Sequence, residues 1–440
     1  MYRRGVLVGA LGIGAVGAGA CQILSGLSGY QETGAGGAGT SNSSGIGAGG
    51  LGGTSTSANS GTSASSSSTS TSTTSSSSTS TSTSVGAGGS TPCSVGTQYA
   101  TDPQNCGWCG HACEAPYGCA GGVCDPATIA TGVAPTVSAI SVGVTDVYWS
   151  IESSTTGGLS FTARATPSTP DNLTTANVAS VAVDVTTGDL YYTTLSTPTV
   201  STPIGLFRIA KTDASTGVAV QYATSAPATS AGAVVVGGLS PRVFFAAVVA
   251  GEWNIYQVDP SGSMAAATSF DSWPVAGSPL PPLFHDGRQP YWFDGDTIKT
   301  VIPGASGSSR VVTPKVASMH QLAVDPSSSP NGNLYWTEGN SLYAVPKAGS
   351  TMALTMATAI ATPAGVVADG NYVYWLDAPA SCTSPSTLSR ASNGSTGVVV
   401  QRVATTPAGC AANLAQDDTY LYYSFFTHGV GLGWIYRVPK

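Results

Sequence analysis

Between residues 125 and 440, short apolar or alternating runs are separated by clusters of Gly, Ser, Thr, Asn and Pro, the signature of strands bounded by turns. One element recurs throughout. A pair of adjacent aromatics appears at Tyr148-Trp149, Tyr191-Tyr192, Phe244-Phe245, Tyr291-Trp292, Tyr335-Trp336, Tyr374-Trp375 and Tyr422-Tyr423, at intervals of 43, 53, 47, 44, 39 and 48 residues. Each pair sits in the same order of segments. A run of small apolar residues comes first, as at 178–183 or 321–324, and often ends in an aspartate (Asp184, Asp286, Asp325, Asp369, Asp417) and a turn. The aromatic strand and a polar loop follow. A third strand then comes, as at 206–211, 342–347 and 435–440, and a Val/Thr-rich fourth strand completes the unit. Four short antiparallel strands per unit of 40–50 residues make one propeller blade, so the chain is predicted to be all-β with a seven-bladed β-propeller. Small first strands suit the crowded axis, and the aromatics pack between blades. The turn aspartates read as structural, closing turns on their own backbone.

The seventh repeat stops after its third strand. The segment 127–131 resembles the other fourth strands, for example 400–404, and is predicted to close the last blade from the N-terminal side, which removes an exposed edge.

The first 92 residues follow another pattern. Arg3 and Arg4 precede an uncharged apolar run from Gly5 to Ala20. Sixteen helical residues reach about 24 Å, short of a ~30 Å hydrocarbon core, so the run is a secretory h-region and not a span. The sequence Ala18-Gly19-Ala20-Cys21 resembles the lipobox of bacterial lipoprotein signal peptides. That resemblance implies a signal peptide over 1–20 and acylation of Cys21. It also implies an exported protein anchored to the membrane through lipid, at the outer membrane or cell surface. The alternative is an ordinary signal peptide with an incidental cysteine. From 21 to 92 the chain is rich in Gly, Ser and Thr, and 27 of the 31 residues between Thr54 and Ser84 are Ser or Thr. Such a segment has almost nothing to bury against an ordering cost of ~1–2 kcal/mol per residue, and is predicted to be a disordered tether, bare or O-glycosylated.

Nine cysteines are present. Beyond Cys21, an even number remains in a chain read as exported, which points to disulfides. Six of them, Cys93, Cys106, Cys109, Cys113, Cys119 and Cys124, fall in a 93–124 module too small for a core of its own; fifteen pairings are open to them. Zinc held by His111 with thiolates and a Cys106/Cys109 redox pair are the competing readings, weakened by the oxidising compartment and the missing βαβ pattern. The run Asn105-Cys-Gly-Trp-Cys-Gly-His-Ala-Cys113 resembles the core of the cysteine-rich modules of stigma-specific proteins. Cys382 and Cys410 fall in a second-to-third-strand loop and in the next inter-blade link. Antiparallel alternation puts these on one face, so the two are predicted to be bonded.

The repeats resemble six- to eight-bladed bacterial propellers and, through Tyr335-Trp336-Thr337-Glu338, the YWTD repeats of LDL-receptor-like proteins. With 15 Lys and Arg against 22 Asp and Glu, a net charge of −7 disfavours phosphate-driven binding of nucleic acid. The chain contains no nucleophile elbow, zincin motif or phosphate loop. His285 and His320 lie on first strands without a diagnostic partner. Gluconolactonase-like and streptogramin-lyase-like propellers hold a metal at the channel mouth. Of the corresponding first-strand positions here, Ser138, Ala179, Ala231, Leu283, His320, Gly365 and Ala411, one can ligate. Glu152, Asp294, Glu338 and Asp377 follow their aromatic pairs by two or three residues and are predicted to ring one face. There they would attract a basic peptide, an amine or a cation such as Ca²⁺. Trp253, Phe425, Phe426 and His428 are expected as exposed aromatics and a histidine on that face. The function predicted is a monomeric surface module binding a protein, peptide or glycan, with no cofactor; the alternative is a metal-dependent lactonase- or lyase-like enzyme in the channel.

Overall fold

The computed structural model describes residues 99–440, except for 109, 116, 153–156, 167, 196–202, 212–218, 223–226, 238–241, 261–266, 276–280, 303–307, 314–315, 318, 327–331, 380–381, 395–398 and 428–431. The signal peptide, Cys21, the tether, Cys93, Cys109 and His428 lie outside the described residues.

The fold is all-β and forms a seven-bladed propeller. Blade 1 runs outward through Val137–Val142, Asp146–Ile151, Gly158–Ala163 and Asp171–Thr174, and blades 2 to 6 repeat that antiparallel order. All seven aromatic pairs lie on second strands, such as Leu190–Thr194 in blade 2 and Tyr372–Asp377 in blade 6. Successive side chains of a strand point to opposite faces, so one aromatic of each pair faces each neighbouring blade. Tyr291 and Phe293 of blade 4 cluster with Leu322 and Trp336 of blade 5. Tyr335 of blade 5 joins Val366 and Trp375 of blade 6, and Tyr374 joins Leu414 and Tyr423 of blade 7. Trp149 of blade 1 packs with Tyr422 and Ile435 of blade 7, so apolar contact carries across the seam. Trp149, Trp292, Tyr335 and Tyr423 are wholly buried. Each contributes on the order of 3 kcal/mol by area.

Blade 7 consists of Cys410–Gln416, Tyr420–Phe426 and Gly433–Pro439 with Ala127–Val133 as its outer strand, Ala127 facing Arg437 and Val133 facing Gly433. The cysteine-rich segment joins the sheet of the neighbouring blade. Its hairpin, Cys119–Ala120 with Val123–Cys124, adds to the outer edge of blade 6, where Cys124 pairs parallel with Ala404. Cys106 is bonded to Cys119 and Cys113 to Cys124, with Cα atoms 5.6 and 5.3 Å apart.

The turn aspartates act twice. Oδ1 of Asp184, Asp286, Asp369 and Asp417 accepts backbone N–H bonds from residues two and three ahead, closing the turn between first and second strands. In three of them Oδ2 reaches a cation that follows the third strand of the next blade. Lys347 of blade 5 meets Asp286 of blade 4 at 2.9 Å, Lys440 of blade 7 meets Asp369 of blade 6 at 3.2 Å, and Arg164 of blade 1 meets Asp417 of blade 7 at 2.5 Å. In blade 5 the place of the cation is taken by Asn393 of blade 6, whose amide donates to Asp325 at 2.5 Å.

Candidate functional site

Antiparallel alternation brings the second-to-third-strand loops and the inter-blade links out on one face. Glu152 and Asp294 follow the last residues of their second strands, while Glu338 and Asp377 end theirs, so the four acids occupy equivalent places in blades 1, 4, 5 and 6. Their partners differ. Asp294 Oδ1 accepts from the amides of Asp296 and Thr297 at 2.9 and 2.8 Å, and Oδ2 meets Lys299 at 2.9 Å. Lys299 is shared with Asp271 of blade 3 at 3.0 Å. Burial works to raise the Asp294 carboxyl, but Lys299 and the turn amides outweigh it and hold the group below its ordinary value. Glu338 accepts from the Ala317 amide at 2.9 Å, and Asp377 from the Thr362 amide at 2.9 Å. Each thereby ties a link between blades to the second strand that follows it. Glu152 lies at the surface. Its backbone amide donates to Thr136, while its carboxyl has no hydrogen-bond partner among the described residues and is raised by desolvation from the surrounding protein.

The face is also held covalently. Cys382, in the blade 6 loop, is bonded to Cys410, the first residue of blade 7, with Cα atoms 4.6 Å apart. Cys382 takes a left-handed φ of +53°, a conformation a non-glycine residue holds only where its surroundings impose it.

Two of the aromatics expected at this surface are inside. Trp253 is 5% exposed on the third strand Glu252–Val258, facing Trp273, and Phe425 is 3% exposed on Tyr420–Phe426. Phe425 covers Gly409 so closely that a Cβ there would overlap its ring. Both lie on strands and not in loops, which is why they fill inter-strand space. Phe426 is half-buried.

A feature without a sequence signal lines the axis. Six of the seven first strands are bulged against their second strands, leaving extra residues at Ser138, Ala179, Gly232-Ala233, His320, Ala364 and Asn413-Leu414. A bulge re-aims side chains and locally frees the backbone. Here the freed groups stitch the blades together. Asn413 donates from Nδ2 to the Val137 carbonyl at 2.7 Å, Ser138 to that of Val178 at 3.2 Å, and Thr193 to that of Gly232. His320 occupies the corresponding place in blade 5 and is exposed. His285 is different: it closes the first strand of blade 4, buried against Phe244 at 5.7 Å and accepting the Gly287 amide on Nδ1 at 2.7 Å. Burial pushes it down to about 4.

Among the described residues, the one grouping of three or more metal-ligating side chains is Cys106, Cys113 and Cys124, whose sulfurs lie within 4.8 Å of one another. All three are engaged in disulfides. No helix among the described residues is long and apolar enough to cross a membrane.

No protein-family model matches the chain, and no curated protein matches it. Solved propellers do. A streptogramin B lyase is 13% identical with a TM-score of 0.49, covering 69% of this chain and 93% of its own. A gluconolactonase from Xanthomonas campestris is 11% identical with a TM-score of 0.40 (71% and 88% covered), and a chain of a nidogen/laminin complex is 14% identical with a TM-score of 0.38 (58% and 96% covered). At these values the likeness adds nothing to the strand pairing described above, and no activity passes from those proteins to this one.

Proposed function

We propose that this chain is an exported, lipid-anchored protein whose propeller presents one loop face to a protein, peptide or glycan. The observation that carries this reading is the bracing of that face. A disulfide joins the blade 6 loop to the start of blade 7, Glu338 and Asp377 pin two inter-blade links, and Asp294 closes its own loop on Lys299. Loops fixed before binding lose little freedom on contact, which favours recognition. Glu152, whose carboxyl lies at the surface with no hydrogen-bond partner among the described residues, is the acid best placed to meet a basic group or a cation such as Ca²⁺.

The test is a screen of the full chain against glycan and basic-peptide arrays, repeated with Cys382→Ser/Cys410→Ser and Glu152→Gln. Opening a loop of this size costs roughly 3–4 kcal/mol in the chain-entropy model, so binding and melting temperature both fall in the first variant. In Glu152→Gln, binding alone falls. Hits that survive both variants refute the assignment to this face. For the anchor, Cys21→Ala is expected to abolish processing and labelling with a fatty-acid probe, and normal maturation of the variant refutes it.

A second reading, a metal-dependent lactonase or lyase, is favoured by one observation: His320 is exposed on a bulge of an axial strand. Stoichiometric divalent metal in the purified chain, lost in His320→Ala, would select it.

A further inference from the structure

The cysteine-rich segment packs on blades 6 and 7, beside the strand that closes the ring. Trp108 covers the Arg390 guanidinium of blade 6 at 3.6 Å, and the cation is also 4.1 Å from Tyr372. Trp108 stacks on His111 at 3.7 Å, and His111 Nδ1 lies 2.5 Å from the Cys106 carbonyl oxygen. Glu114 pairs through both carboxylate oxygens with Arg437 of blade 7, on the strand that binds Ala127–Val133. Trp108 on blade 6 and Glu114 on blade 7 thus hold the segment against both blades beside the closing strand, and both lie inside the loop closed by Cys106 and Cys119. Of the four sulfur-bearing residues in the two described bridges, Cys106, Cys113 and Cys124 are buried, while Cys119 is half-exposed.

We propose that Cys106–Cys119 is a thiol–disulfide exchange site for an external dithiol, and that opening it unlatches the propeller ring. A thiolate of the dithiol attacks Cys119 Sγ, forming a mixed disulfide and expelling the Cys106 thiolate, which takes up a proton. The second thiol of the reagent then attacks its own sulfur in the mixed disulfide, releasing Cys119 as a thiol and the reagent as its disulfide. One bond between protein sulfurs is reduced and one dithiol is oxidised. The freed Cys106 lies within 4.8 Å of the sulfurs of Cys113 and Cys124. It can therefore exchange into the second bridge, spreading the opening through the segment. Once the 106–119 loop is released, Trp108 and Glu114 lose their seating, and the closing strand loses its brace.

The test is graded reduction of the full chain with dithiothreitol, read by differential alkylation with peptide mapping and by hydrogen exchange. Cys106 and Cys119 should be labelled before Cys382 and Cys410. Over the same range, exchange in Ala127–Val133 and Gly433–Pro439 should quicken roughly tenfold, while Asn333–Glu338 of blade 5 stays protected. Glu114→Gln, with the disulfides intact, should quicken exchange in the same two strands without reductant. Three outcomes overturn the proposal: Cys382 and Cys410 open first, the two strands stay protected after Cys106 and Cys119 are labelled, or protection is lost evenly round the ring. Unchanged exchange in those two strands in Glu114→Gln overturns the latch as well.

Discussion

His285 shows how one residue sets a condition on the whole blade. Its Nδ1 accepts the Gly287 amide, while Nε2 is buried without a hydrogen-bond partner among the described residues, and Gly237 of blade 3 lies where any Cβ would run into the ring. The folded protein therefore holds this imidazole neutral, at about 4, against an unfolded value of ~6.5. Between those values the unfolded chain binds a proton that the folded chain refuses. Stability therefore falls as pH drops from 6.5 to 4 and levels off below, by on the order of 3 kcal/mol from this group. In urea titrations across that window, His285→Leu should show a shallower slope than the parent by that amount, even if it is less stable at neutral pH. An equal slope refutes the assignment. Residue 285 was legible in the sequence as a first-strand histidine without a partner. Its neighbour Gly237 was not, because that contact crosses from one blade to the next.

The blades owe their cohesion to three devices, and they differ in how far they could be read in advance. The seven aromatic pairs announced the second strands, since a strand buried on both sides needs a large apolar residue on each. The turn aspartates announced only half of their work. Oδ1 bonds residues two and three ahead, which spacing reveals, whereas Oδ2 reaches a cation on the following blade, which spacing does not. The bulges of the axial strands left no trace because no glycine or proline marks them in common. Two inter-blade charge pairs of different exposure give a direct comparison. Lys347 and Asp286 have side chains only 5% and 4% exposed, and Lys347 also bonds the Asp325 carbonyl. Asp286→Asn keeps the turn but strands a buried ammonium, an expected loss of ~3–5 kcal/mol. Lys440 and Asp369 are 12% and 23% exposed, and Asp369→Asn should cost about 1 kcal/mol or less. Chemical denaturation of the two variants side by side decides between this ranking and a uniform effect.

At the scale of the molecule, the ring depends on a strand from its far end. Removing residues 125–132 is expected to lower the melting temperature of the whole propeller and broaden its transition, because blade 7 is left with an open outer edge. Removing 23–92, the segment read from sequence as a tether, should leave the calorimetric midpoint nearly where it was; equal effects of the two deletions refute this account of closure. Ala127–Val133 is made before any other strand of the ring, yet its partner Gly433–Pro439 is made after all the rest. During synthesis, the opening strand must therefore wait, unpaired, while six blades take shape behind it. Contacts that distant in sequence are the slowest to form and leave an edge available for wrong pairing in the meantime. A helper that shields extended segments, or a disulfide-stapled hairpin already folded beside the waiting strand, would shorten the risk, and the position of Cys119–Ala120 and Val123–Cys124 supplies the second from within the chain.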